Sequence, residues 1–262
     1  MKIRVLSALA LLAGVASAAS GSTNVTYTAS ADPNASPDAN GNTVNAWTLS
    51  RAGDPAGQST TYSGSYYATG NGLLGTAWGI YSTDAYTPTT AGQYTAETDQ
   101  TATLPGGALN IGQTVSIDFL ANSVNTGRQY GLRLTTGTTF VLSLSFVGGD
   151  GGYRYYDGTT GGSIPFGYQQ NGFHFAYTQN TATTYTVVAT PIGGGAVIGT
   201  FSGTVSGAPN TFQVYDQSAC QNNNVLTNNF AIVPEPGSYA FLGAGMLGAV
   251  AWLRRRRAVS VR

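Results

Sequence analysis

Positive charge is nearly missing from the body of this sequence. Of eleven Lys and Arg in 262 residues, only Arg51, Arg128, Arg133 and Arg154 lie between Arg4 and Arg254, and Lys2 is the only lysine. Ten of the eleven acids lie in that same central stretch, Glu235 being the exception, so it carries 4 − 10 = −6. An acidic, lysine-free domain has no electrostatic footprint for nucleic acid or for anionic membranes. Cysteine is equally scarce. Cys220 stands alone, which excludes an intramolecular disulfide and a cysteine zinc site. His174 is the only histidine, so any Ser-His-Asp arrangement depends on it. Glu97 and Glu235 are the only glutamates, and a glycosidase-type carboxylate pair has almost nothing to draw on. No Gly-x-Ser-x-Gly elbow precedes a helix, and no glycine-rich stretch opens one, which argues against a hydrolase nucleophile and a phosphate cradle.

What the sequence does have is concentrated at its ends. Lys2 and Arg4 form a basic start, Val5 to Val15 an apolar run, and Ala16-Ser17-Ala18 a small-residue cleavage site. Residues 1–18 read as a secretory signal peptide, to be removed by signal peptidase after passage through the secretion translocon. Near the other end, Val233-Pro234-Glu235-Pro236 precedes an uncharged stretch, Tyr239–Leu253, and the run Arg254-Arg255-Arg256-Arg257. The two prolines fix φ and remove two backbone donors, so the chain there is expected to be extended and open to a protease. Fifteen helical residues span about 22 Å, short of a hydrocarbon core of about 30 Å. Gly237 and Ser238, with arginines snorkelling to the headgroups, narrow that gap. A marginal transmembrane helix with a cytoplasmic basic end is expected over 239–253.

This order of parts resembles the PEP-CTERM sorting signal of Gram-negative envelope proteins. Pro234-Glu235-Pro236 matches the motif that gives the signal its name, Tyr239–Leu253 its membrane span, and Arg254–Arg257 its basic stop. The resemblance implies recognition of residues 233–236 by an exosortase, a membrane protein that supplies its own catalytic residues. It also implies an inner-membrane-anchored precursor destined for the cell surface or extracellular matrix, and a link to extracellular polysaccharide or biofilm.

Residues 19–232 form the exported domain and read as all-β. Short β-branched and aromatic runs alternate with Gly, Asn, Asp and Pro clusters. Strands are expected at Val25–Ser30, Val44–Ser50, Ala77–Ser82, Tyr94–Thr103, Val115–Ala121, Tyr130–Thr135, Phe140–Val147, Phe173–Tyr177, Tyr185–Ala189, Val197–Phe201, Phe212–Tyr215 and Phe230–Val233. Such a set fits a two-sheet antiparallel sandwich or jelly roll. From Gln113 to Val233 the order is similar to concanavalin/laminin-G-like sandwiches. That likeness implies that Val115–Phe119 and Leu132–Leu134 are neighbouring inner strands and that Val225–Val233 is the closing strand. Residues 19–75, rich in Ser, Thr, Asn and Gly, are expected to supply edge strands or a partly flexible leader.

Candidate chemistry is sparse. Glu97 and Asp99 share one face of an expected strand, which is either an acid pair or a solvated face. Asp118 and His174 are expected as outward polar residues on strands. Asp150 and Asp157, each beside glycine, would supply oxygens to calcium if their loops met at one rim; each is also an ordinary turn signal. Tyr153, Tyr155, Tyr156 and Trp78 sit in aromatic clusters that either stack on sugar rings or pack between strands. The sequence thus points to a non-enzymatic, structural or adhesive envelope protein. The alternatives are a carbohydrate- or calcium-binding module and a polysaccharide hydrolase or lyase. Asn24-Val25-Thr26 and Asn34-Ala35-Ser36 match the N-glycosylation sequon and carry no argument in a bacterium.

Overall fold

The computed structural model describes residues 25–28, 47–52, 63–70, 72–82, 97–104, 107–121, 124, 126–164, 166–217 and 225–233. The expected signal peptide, Cys220, Pro234–Pro236, the span 239–253 and Arg254–Arg257 lie outside the described residues.

Fifteen strands make up nearly all of the described structure. They are β1 (Val25–Tyr27), β2 (Trp47–Ala52), β3 (Ser63–Ala68), β4 (Ala77–Ser82), β5 (Glu97–Thr103), β6 (Thr114–Ala121), β7 (Gln129–Thr136) and β8 (Thr139–Val147). They continue with β9 (Arg154–Tyr156), β10 (Gly161–Ser163), β11 (Phe173–Gln179), β12 (Thr184–Thr190), β13 (Gly199–Thr204), β14 (Thr211–Gln217) and β15 (Val225–Val233). A 3₁₀ turn, Gly72–Leu74, joins β3 to β4.

The strands form two antiparallel sheets. Sheet A runs β13-β12-β11-β6-β15-β4-β3, with β1 also paired to β15, and sheet B runs β10-β9-β8-β7-β14-β5-β2. The expected all-β two-sheet sandwich is therefore what the chain adopts. β2 and β3, from the Ser/Thr-rich N-terminal part, end the two strand orders as edge strands. One expectation is corrected. Val115–Phe119 and Leu132–Leu134 are not neighbours in one sheet: β6 is central in sheet A and β7 in sheet B. Val115, Ile117 and Phe119 of β6 and Tyr130, Leu132 and Leu134 of β7 recur with a period of two, and those two apolar faces meet across the core rather than edge to edge.

The alternation shows directly in burial. On β11, Phe173, Phe175 and Tyr177 point inward, while His174, Ala176 and Thr178 are only partly covered. A continuous aromatic cluster fills the space between the sheets. Phe119 lies 5.6 Å from Tyr130 and 5.5 Å from Phe173 by ring centroids. Tyr153 packs against Phe146, Phe166 and Phe173 at 5.1–5.3 Å. The Tyr130 and Tyr153 hydroxyls meet at 3.2 Å, so neither phenol is left unpaired in the interior. Burial raises both phenol pKa values and keeps the pair protonated.

Turn chemistry sets the register of the central hairpin. Thr136 pairs with Thr139 across a two-residue turn, and its first residue, Gly137, has φ 58°. That is the conformation hairpin turns require and that a side chain disfavours. β15 has an irregularity of its own. Its register against β6 shifts between Asn228 and Ala231, and Asn229 there has φ 51°, the only described non-glycine residue with positive φ.

Candidate functional site

The first place to look is the segment around β9, where the sequence leaves aromatic rings as sugar contacts or strand packing and two aspartates as calcium ligands or turn residues. Tyr153 is 1% exposed and Trp78 0%, so both rings are core residues with no face for a sugar. Tyr155 is partly buried and packs against Phe201 at 5.2 Å. Tyr156 alone is well exposed, and its hydroxyl donates to the Gly158 carbonyl.

The two aspartates do not converge. Asp150 precedes β9 and Asp157 follows it, at opposite ends of the strand. Each has a local partner. Arg154 binds the Asp150 carboxylate through Nη2 at 2.7 Å and Nε at 2.5 Å. Asp157 Oδ1 accepts from the Thr159 and Thr160 backbone N–H groups and from both threonine hydroxyls. These bonds close the β9–β10 turn. Asp150 and Arg154 border an open depression of about 380 Å³ with Ser163, Ile164 and Phe166. Among the described residues no three His, Cys, Asp or Glu side chains gather as metal ligands.

Asp157 gives a pH prediction. Burial works against its carboxylate, but the bonds from Thr160 and Thr159 together outweigh that and lower its pKa. A depressed carboxylate contributes stability above its unfolded pKa of about 3.9 and loses it as pH falls through the lower folded value. Asp157→Ala should therefore lower the urea midpoint at neutral pH, with the difference from wild type shrinking in acid. An unchanging difference down to the most acidic pH tested would contradict the assignment.

A second constellation lies on the outer face of sheet A, where three strands bring together residues far apart in sequence. In the β11–β6 register His174 sits opposite Asp118, and in the β6–β15 register Asp118 sits opposite Asn228. His174 Nδ1 lies 2.7 Å from Asp118 Oδ1, and Asn229 Nδ2 donates to Asp118 Oδ2 at 2.6 Å. The shift in β15 makes this contact. The left-handed backbone at Asn229 turns its amide toward Asp118, while its N–H donates to Asn228 Oδ1 and Asn228 Nδ2 donates to the Leu74 carbonyl. Asp118 is 5% exposed, whereas Asn229 is exposed and the His174 side chain is 35% exposed. A buried carboxylate thus holds a part-exposed imidazole by Nδ1.

Both residues were legible as outward polar positions, but not as partners. The signal that could have joined them is their matching phase: each lies between two inward phenylalanine or isoleucine positions. Strand order is needed before that phase becomes a contact. Glu97 and Asp99 occupy alternate positions of β5, opposite Ala52 and Ser50 of β2.

The third feature is the end of the fold. β15 pairs with β6, β4 and β1, and its last residue, Val233, pairs with Thr114. Val233, the last described residue of the closing strand, immediately precedes Pro234-Glu235-Pro236 in sequence.

Residues 233–257 match the PEP-CTERM protein-sorting motif. The sorting motif thus starts on the final residue of the sandwich. It implies an exported, membrane-anchored precursor processed by an exosortase. No helix among the described residues is long and apolar enough to cross a membrane. No curated protein sequence matches the chain. Solved structures with a similar arrangement include the globular domain of T. cruzi calreticulin, at 9% identity over 84% of this chain and 92% of that one, TM-score 0.49. Others are the CBM2 module of the Lactobacillus casei BL23 phage J-1 evolved Dit, at 15% identity over 80% and 96%, TM-score 0.42, and the Ca²⁺-bound VIP36 exoplasmic/lumenal domain, at 8% over 73% and 84%, TM-score 0.43.

Proposed function

We propose that this chain is a structural or adhesive protein of the cell envelope or extracellular matrix. Its sandwich is delivered through the C-terminal sorting motif and acts by binding rather than by catalysis. The observation that carries this reading is the junction at Val233. The last strand, hydrogen-bonded inside sheet A, ends where the sorting motif starts, so cleavage beyond Val233 removes no described strand. An exosortase would then release or transfer a finished domain. In this reading residues 1–18 direct export, Val233–Pro236 are the recognition segment, 239–253 span the inner membrane, and Arg254–Arg257 hold the tail in the cytoplasm. The low charge of the domain, −6 with hydroxyl and amide side chains dominating its surface strands, suits a hydrated polysaccharide setting.

The orienting role of the basic stop is testable. Replacing Arg254–Arg257 by glutamine should leave most of the protein in the wrong fraction, either unprocessed or lost from the membrane before processing. Fractionation with antibody to the sandwich reads this out. Processing and distribution equal to wild type would remove the arginine run from the account.

A further inference from the structure

The outer face of sheet A beside His174 carries a strip of small residues, here called the shelf, whose central Ser116 is 7% exposed. One residue pair further along the strands from His174 and Asp118, three small side chains lie side by side: Ala176 on β11, Ser116 on β6 and Ala231 on β15. One pair further again, the Thr178 and Thr114 hydroxyls meet at 2.7 Å. The polar row at His174 and the hydroxyl row at Thr178 are four residues apart, about 13 Å by strand rise, and three strands give the shelf a width of about 10 Å. A low floor with polar groups at both ends fits two sugar rings lying flat.

The polar end is built rather than incidental. Asp118 fixes both His174 and Asn229 from below, and the positive φ at Asn229 is a conformation that an ordinary strand residue avoids. Held this way, the part-exposed His174 ring keeps Nε2, and the exposed Asn229 its amide oxygen, for hydrogen bonds with ligand hydroxyls. No Lys or Arg occurs on β6, β11, β12, β13 or β15, and the exported part is negative overall. An anionic chain would meet a buried carboxylate and no counter-charge.

We propose that this shelf is a binding site for an uncharged glycan, with His174 and Asn229 hydrogen-bonded to its hydroxyls and Ala176, Ser116 and Ala231 forming the floor. The ligand class rests on the matrix reading given above. The placement of the site on this face rests on the geometry alone.

Because His174 is the only histidine, its ring signals in a proton–carbon NMR spectrum report on this shelf without assignment work. The full chain, purified from its host, is titrated with neutral gluco-, galacto- and manno-configured tetrasaccharides and with tetragalacturonate as the acidic counterpart. At least one neutral probe is expected to shift the His174 signals saturably, with tetragalacturonate weaker. Ala176→Gln, which raises the floor without touching the polar row, should weaken that binding by about tenfold or more, and Asp118→Asn should do the same by releasing His174. If Asp118→Asn fails to fold, Ala176→Gln decides. Three results would overturn the site: no neutral probe moving His174, stronger binding of the acidic probe, or affinity indifferent to Ala176→Gln. Normal sorting with no glycan binding would defeat the shelf and leave the envelope reading standing; failed sorting would defeat that reading instead.

Discussion

Gly131→Ala is expected to abolish the folded sandwich. Gly131 sits on β7 in the middle of sheet B, and a Cβ placed there would lie 2.0 Å from the Leu144 carbonyl oxygen and 2.9 Å from the Tyr215 ring. The ring could swing away, but the carbonyl belongs to the neighbouring strand β8 and cannot move without breaking the ladder. Tyr215 is also pinned from outside, since the Arg133 guanidinium lies 3.7 Å over its ring. Overpacking against backbone should cost on the order of 4 kcal/mol or more, a large part of the roughly 5–15 kcal/mol that holds a domain together. Gly137→Ala is the control. Its Cβ would meet nothing, and only the positive φ is strained, for about 1–2 kcal/mol. Urea unfolding of the purified full-chain variants should show Gly137→Ala shifted and Gly131→Ala without a folded baseline. Similar midpoints for the two would contradict the close approach of β7 and β8.

The second large effect is expected from replacing Pro234, Glu235 and Pro236 together by alanine. The change falls just outside β15, so the sandwich should keep its stability. The extended, donor-poor segment is lost, and alanine would let the chain continue as helix toward 239–253. The variant should accumulate as membrane-bound precursor, with mature protein reduced at least tenfold on an anti-sandwich blot. Undiminished mature protein would show that these three residues are not what the protease reads.

How much of this was visible in the sequence varies by element. The expected bounds of β4 match the structure, where turn-forming glycines and polar residues bracket Ala77–Ser82, and those of β8 match within a residue, where Phe140, Leu142, Leu144 and Phe146 keep a period of two. β3, β9 and β10 were missed. Ser63–Ala68 holds Ser, Gly and Tyr with no clear period, and β9 and β10 are three residues each, too short for alternation to show. The same shortness hid the role of Tyr153. Preceded by Gly151-Gly152 and followed by Arg154, it looks like a surface ring, yet the chain turns it into the aromatic core against Phe173. Val197–Phe201 was placed early by two residues, since Val197 is exposed and the pairing with β12 begins at Gly199.

The candidate site was less legible than the fold for a physical reason. Asp118, His174 and Asn229 are 56 and 111 residues apart as pairs, and they meet only through strand order and through a register shift at Asn229. Neither is encoded in local periodicity. The sorting motif is the opposite case, because a protease reads an extended segment residue by residue and the information is therefore linear.

The most direct test of the central claim is the intact mass of the protein recovered from membrane and extracellular fractions of its host. The account predicts a mature species starting near Ala19 and ending within or just before Pro234–Pro236, with any added mass at its new C-terminus marking attachment to a lipid or glycan. A sole species that still carries Arg254–Arg262 would contradict it and make the chain a permanently anchored surface protein.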